Sequence, residues 1–202
     1  MNSFIYNLNN MKKGLLVILS GPSGVGKGTV REFLMRDKQV NLQYSISMTT
    51  RSPRNNERHG VEYFFVSQDE FKKLIKEDGF LEHAKFVNNY YGTPKKYVMD
   101  LLNEGKNVLV EIETKGAQQV MEKAKDLNCV SIFLLPPSLH DLEERIKNRK
   151  TESEEIIKER LEKANKEMKL KSLYDFNVIN DTPERAADEI LKIIKDKLNT
   201  CI

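Results

Sequence analysis

Cysteine is nearly absent from this chain, with Cys129 and Cys201 the only two in 202 residues. Two cannot build the disulfide framework of a small secreted scaffold, and the scarcity fits a reducing compartment. Cys129 opens an apolar stretch that runs to Leu135, where a small buried hydrophobe is its expected role. Long hydrophobic runs are missing too, and none approaches the roughly 18 residues of a membrane span. The opening MNSFIYNLNNMKK has no basic stretch followed by a long apolar one, so the expectation is a soluble, cytoplasmic chain. Residues 1–10 are polar and Asn-rich and precede Met11, which reads as a disordered extension or a misassigned start. Neither sign of charge dominates: 33 Lys and Arg against 30 Asp and Glu leave +3, too little for a general polyanion binder. Anion recognition must therefore come from local clusters. The three histidines, His59, His83 and His140, stand at no metal-ligand spacing, and no zinc pattern, Ser/His/Asp arrangement, internal repeat or low-complexity tract occurs. The length suits one compact domain with inserted segments.

What is present begins with LLVILSGPSGVGKGT, Leu15 to Thr29, a buried strand breaking into a glycine-rich turn and then a helix. That is the layout of a P-loop for a nucleoside triphosphate. Several backbone N–H groups must converge on one set of phosphate oxygens, and Gly21, Gly24 and Gly26 give the turn that freedom. The phosphates then lie at the positive end of a helix starting near Lys27, whose ammonium reaches the β/γ region. Gly21, Pro22, Ser23, Gly24, Val25, Gly26, Lys27, Gly28 and Thr29 are the expected cradle. The hydroxyl that usually follows the lysine is displaced by one, with Gly28 in its place and Thr29 after it. Metal contact is left open between Thr29 itself and an ion held by phosphates and water.

Apolar runs at Leu15–Ser20, Val108–Glu111, Val130–Leu135 and Phe176–Ile179 each precede a helical stretch, at Lys27–Arg36, Gly116–Lys125, Ser138–Asn148 and Pro183–Leu198. The pattern predicts an α/β fold, a parallel sheet flanked by helices. Thr182 is the expected N-cap of the last helix, with Pro183 at its first position. Between Ser45 and Thr93, VEYFFVS, GFLEHAKF and NYYGT read as a small β-rich insertion. After Pro136-Pro137 comes a charged helical pair holding Arg145, Lys147, Arg149, Lys150, Lys158 and Arg160, whose composition alone reads as a solvated face. In SISMTTRSPR, Arg51 and Arg54 flank a short rigid Ser-Pro and can hold one phosphate between two guanidinium groups.

GPSGVGKGT, TTRSPR, VEYFFVS, FLEHAKF, NYYGT, LVEIETKGAQ, LLPPS and the Arg-rich helical pair follow one another as in the guanylate kinases, which this chain resembles from about Gly14 to near its C-terminus. The resemblance implies a P-loop NTPase-type sheet divided into a core (1–46, 94–136 and 165–202), an inserted GMP-binding region (47–93) and a helical lid (137–164). It also implies transfer of the γ-phosphoryl group of ATP to GMP, and to dGMP, with Mg2+. By the same resemblance Ser47, Glu82, Thr93 and Glu113 lie around guanine, and Arg51, Arg54, Tyr63 and Tyr91 hold the GMP phosphate. Lys27, Arg51, Arg145, Arg149 and Arg160 stabilise the transferring group, Asn180 lies near adenine, and Glu111 holds Mg2+ directly or through water. A carboxylate at Glu82 suits guanine because N1–H and the exocyclic amine are adjacent donors, a pair adenine lacks. Glu111 and Glu113 stand where relatives often carry Asp, and Lys115 where Gln is common. Two other readings remain: a kinase for another monophosphate, and a non-catalytic relative that binds phosphorylated peptides. Lys27 and the lid arginines favour an enzyme. Oligomeric state, monomer or homodimer, is open.

Overall fold

Leu16–Ser20 forms β1, buried at every residue, as an apolar run covered on both faces should be. The computed structural model describes residues 13–147 and 154–200. After β1 come α1 (Lys27–Leu34), β2 (Leu42–Tyr44), β3 (Met48–Thr49), β4 (Phe64–Phe65), α2 (Gln68–Lys76), β5 (Phe80–Phe86) and β6 (Asn89–Pro94). Then follow α3 (Lys95–Asn103), β7 (Asn107–Glu111), α4 (Thr114–Lys123), β8 (Cys129–Leu135), α5 (Leu139–Lys147), α6 (Glu154–Met168), a 3-10 turn (Lys169–Leu173), β9 (Phe176–Ile179) and α7 (Pro183–Thr200). Five strands make a parallel sheet in the order β2-β7-β1-β8-β9. In it Leu16 pairs with Val108 on one side and Cys129 on the other.

Alternation divides this sheet between two cores. Leu15, Val17, Leu19, Leu109, Ile132 and Leu134 pack with Val30 and Leu34 of α1 and Ala186, Ile190 and Ile194 of α7. Leu16, Ile18, Val108, Val110 and Phe133 pack with Val98 and Leu102 of α3 and Ala117 and Val120 of α4. Helices thus cover both faces, the α/β arrangement the sequence predicts. A buried amide fixes the floor of the sheet: Leu15 N–H donates to Asn107 Oδ1 at 2.8 Å, and Asn107 Nδ2 donates to the Val40 carbonyl at 2.5 Å.

A second sheet, β4-β3-β6-β5, is mixed, with β3–β4 parallel and the β3–β6 and β5–β6 pairs antiparallel. The expected insertion is β-rich but also contains α2, which a full capping box between Ser67 and Glu70 starts. VEYFFVS supplies only two strand residues, Phe64 and Phe65. The edge strand β2 and the helix α3 are elements the sequence reading does not predict. The second predicted helix begins two residues before Gly116, at Thr114, with Glu113 as its N-cap residue. Thr182 does receive the Arg185 N–H, at 3.4 Å, ahead of Pro183. Helices α5 and α6 share a small seam of Leu142, Ile146 and Ala164, and α6 runs unbroken across the lid boundary expected at residue 164. No helix among the described residues is long and apolar enough to cross a membrane.

Candidate active site

At the carboxyl end of the central strand β1 the chain turns through Gly21–Gly26 into α1. Gly24 and Gly26 adopt φ of 87° and 97°, left-handed values that glycine takes without strain, and Gly26 is the helix N-cap. Position and dipole make this the place for an anionic ligand. Lys27 Nζ donates to the Gly21 carbonyl at 2.8 Å and the Pro22 carbonyl at 3.3 Å, folding the ammonium over the loop. Burial lowers its pKa, while the carboxylates of Glu111, Glu167 and Glu113 act in the opposite direction.

Gly28 faces the acidic end of β7, since a Cβ there would lie 3.9 Å from Glu111 Oε1 and 4.0 Å from Arg31 Nη2. Thr29 lies on the exposed side of α1. Glu111 accepts from Arg31 Nη1 at 2.9 Å, and the Arg31 guanidinium stands 4.7 Å from the centre of the Tyr44 ring. Among the described residues no three His, Cys, Asp or Glu side chains form a metal cage. One carboxylate, paired with Arg31 through Oε2 and turning Oε1 toward Gly28, suits a divalent ion held mainly by phosphate oxygens and water.

The charged helices α5 and α6 meet the loop from the other side. Arg145 donates to the Val25 carbonyl at 3.3 Å and the Asn180 carbonyl at 2.9 Å. Arg160 Nη2 donates to Ser23 Oγ at 3.0 Å, while the Ser23 N–H donates to Glu167 Oε2 at 3.3 Å. Glu167 is buried, and its Oε1 accepts from Thr114 Oγ1 at 3.1 Å. Lys163 lies 2.8 Å from Glu113 and 3.8 Å from Glu167. Arg145 and Arg160, two of the arginines expected in a lid, are therefore structured against the loop rather than spread on a solvated face. Arg149 lies outside the described residues. Asn180 Nδ2 donates to the Val25 carbonyl at 2.8 Å, and its Oδ1 is buried without a hydrogen-bond donor.

The second sheet gathers the remaining residues. Arg51 stacks over Tyr63 and Phe65, at 5.6 and 5.9 Å from the ring centres, and Tyr63 meets Tyr91 edge-on at 6.2 Å. Tyr90, on the opposite face of β6, instead stacks on Phe71. Arg51 Nη2 donates to Glu57 Oε1 at 2.8 Å, and the Arg54 N–H donates to Glu57 Oε2 at 2.8 Å. The Arg51 hydrogen bond, and after it the Arg54 N–H, holds Glu57 below the ordinary carboxylate pKa. Glu57 thus ties Arg51 to the backbone of Arg54, whose side chain is exposed. The Ser47 carbonyl accepts from Phe64 N–H at 2.9 Å, which joins β3 to β4. Glu82 is 8% exposed, its Oε1 accepts from Thr93 Oγ1 at 2.7 Å, and burial raises its pKa. Glu113, turned toward Lys163, is exposed and makes no contact with Glu82 shorter than a through-space repulsion.

Sequence reasoning missed Glu57, Arg31 and Glu167. Glu57 carries a local signal, three residues after Arg54 in the same turn. Glu167 carries none, because its loop partner Ser23 is 144 residues away.

Residues 13–197 match the family model described as guanylate kinase. The chain belongs to the guanylate kinase family. A curated guanylate kinase from Mesoplasma florum is 53% identical over 182 residues, covering 90% of this chain and 61% of that protein. The chain thus spans about three fifths of that relative's length, 61%. The crystal structure of guanylate kinase from Anaplasma phagocytophilum matches with a TM-score of 0.71 and 32% identity, over 92% of this chain and 87% of that one. The similarity includes the sheet flanked by helices and agrees with a P-loop NTPase-type core.

Proposed function

We propose that this chain transfers the γ-phosphoryl group of ATP to GMP, and to dGMP, giving ADP and GDP. The observation that carries the reading is Glu82, a buried carboxylate steadied by Thr93 in a sheet separate from the phosphate loop. A triphosphate loop alone leaves the acceptor unnamed, and a carboxylate that accepts from two neighbouring donors selects guanine over adenine. Around it Ser47, Thr93 and Glu113 form the base site, with Arg51, Arg54, Tyr63 and Tyr91 on the acceptor phosphate.

An oxygen of that phosphate attacks the γ-phosphorus as the bond to the β-phosphate oxygen breaks, and ADP leaves. The loop N–H groups and Lys27 hold the donor phosphates, and Arg51, Arg145, Arg149 and Arg160 offset charge on the transferring oxygens. Mg2+ would supply further charge neutralisation, with Glu111 holding it through water in the space Gly28 leaves open. Asn180 lies at the adenine side. Packing of α5 and α6 on the loop excludes water, which otherwise accepts the phosphoryl group. The domain division into core, GMP region and lid, and a cytoplasmic location, belong to the same proposal.

Steady-state turnover with ATP and each of GMP, dGMP, AMP, UMP and CMP tests it. Turnover confined to GMP and dGMP is expected. Equal efficiency with AMP would remove Glu82 from its assigned role and favour a kinase for another monophosphate.

A further inference from the structure

Gly116 is buried in the first turn of α4, yet nothing in its backbone asks for glycine. Its φ is not among the left-handed glycine values of this chain, and a helix intrinsically prefers alanine there. What glycine provides is space. A Cβ at this position would lie 2.9 Å from Glu82 Oε2, 3.3 Å from Cδ and 3.4 Å from Cγ, so its three nearest neighbours all belong to one side chain.

The helix has little room to withdraw. Helix α4 is tied to β5 by paired contacts: His83 N–H donates to Gln119 Oε1 at 3.3 Å, Gln119 Nε2 donates to the His83 carbonyl at 3.4 Å, and Lys123 Nζ donates to the Phe80 carbonyl at 2.7 Å. The Glu82 carboxylate is held on its other oxygen by Thr93, whose own side chain is fully buried. A methyl group at position 116 therefore displaces the carboxylate rather than the helix, because the far end of the glutamate is the softest element in the contact.

We propose that Gly116 is a positioning residue for base specificity: its missing side chain reserves the place from which Glu82 reads guanine. This rests on the proposed reading of Glu82 as the guanine acceptor. It assigns the glycine to the ligand site and not to the fold.

The test is Gly116→Ala, followed by calorimetric GMP binding, KM for each substrate and Tm. The expected result is GMP binding weakened roughly tenfold or more, as for a misplaced charged acceptor, with KM for ATP unchanged and Tm equal to or above that of the parent. Glu82→Asp shortens the arm, so adding Gly116→Ala to Glu82→Asp should weaken GMP binding less than adding it to the parent. Unchanged GMP binding in Gly116→Ala overturns the proposal, as does a parallel rise in KM for ATP or equal losses in the two backgrounds. A parent protein that binds no GMP defeats the guanine reading instead. The Glu82 carboxyl titration, followed by carbon NMR, then decides the packing claim alone: a curve unaltered by Gly116→Ala overturns it.

Discussion

In the proposed reading Glu82 serves binding at the expense of stability. The folded protein holds its proton more tightly than the unfolded chain does, because burial raises the pKa from 4.5. Its contribution to folding is therefore full below that ordinary value and lost as pH rises through the raised one. Glu82→Gln keeps an oxygen for the Thr93 hydroxyl and removes the charge, so Tm at about pH 7 should exceed the parent's, with the gap closing toward about pH 4. GMP turnover should fall in the same variant, and the parent's KM for GMP should climb as acid protonates the carboxylate. A pH-independent Tm difference would show that charge is not what burial penalises. Glu57 poses the opposite case, a carboxylate seated on the Arg51 guanidinium and the Arg54 N–H, beside the place proposed for the acceptor phosphate. Glu57→Gln keeps one of the two accepted hydrogen bonds and removes the charge that repels a phosphate, so KM for GMP should drop about two- to fivefold, the scale of a surface ion pair. A raised KM would make Glu57 an orienting group for Arg51. Of these residues Glu82 was legible in the sequence through its motif. Glu57 was within reach of the same reading, but its pairing depends on how the turn after Arg54 closes, which composition does not state.

At the scale of elements, legibility followed the apolar runs more than burial: β1 is buried at every residue, whereas β9 is exposed at all but Val178 and was as readable. The strands β1, β7, β8 and β9 lie within or beside continuous apolar runs and were predicted within a residue or so at most ends. The edge strand β2 has three residues and no run to mark it, and α3 hides because KKYVMDLLN follows directly on a strand without a turn residue between them. The β5–β6 hairpin carries a local conflict. Val87 takes φ of 54°, a conformation that costs a β-branched residue, and it is 74% exposed, so packing returns little. Val87→Gly should raise stability by about 1 kcal/mol, the usual scale of the left-handed penalty, read as a higher urea midpoint with unchanged slope. No gain would place the strain elsewhere in the turn.

For the whole molecule, α6 joins parts that the sequence separates. Its Arg160 and Glu167 both reach Ser23, and Glu167 also meets Thr114 at the start of α4. Glu167→Ala leaves the buried Thr114 hydroxyl and the half-buried Ser23 N–H without that acceptor, a loss of about 1–3 kcal/mol in unfolding free energy. It should also raise KM for ATP while KM for GMP holds, and equal effects on both would mean a general loosening. The parallel sheet adds a requirement of another kind. Because β1 is apolar on both faces, a slide by one residue would still bury hydrophobic side chains, and polarity does not choose its register. The Asn107 amide does so, by clasping Leu15 beneath the sheet. A slip there would carry the phosphate loop about 3.3 Å along the strand axis. The height of the glycine-rich loop above the sheet is thus held at the far end of the strand, by a residue remote from the loop.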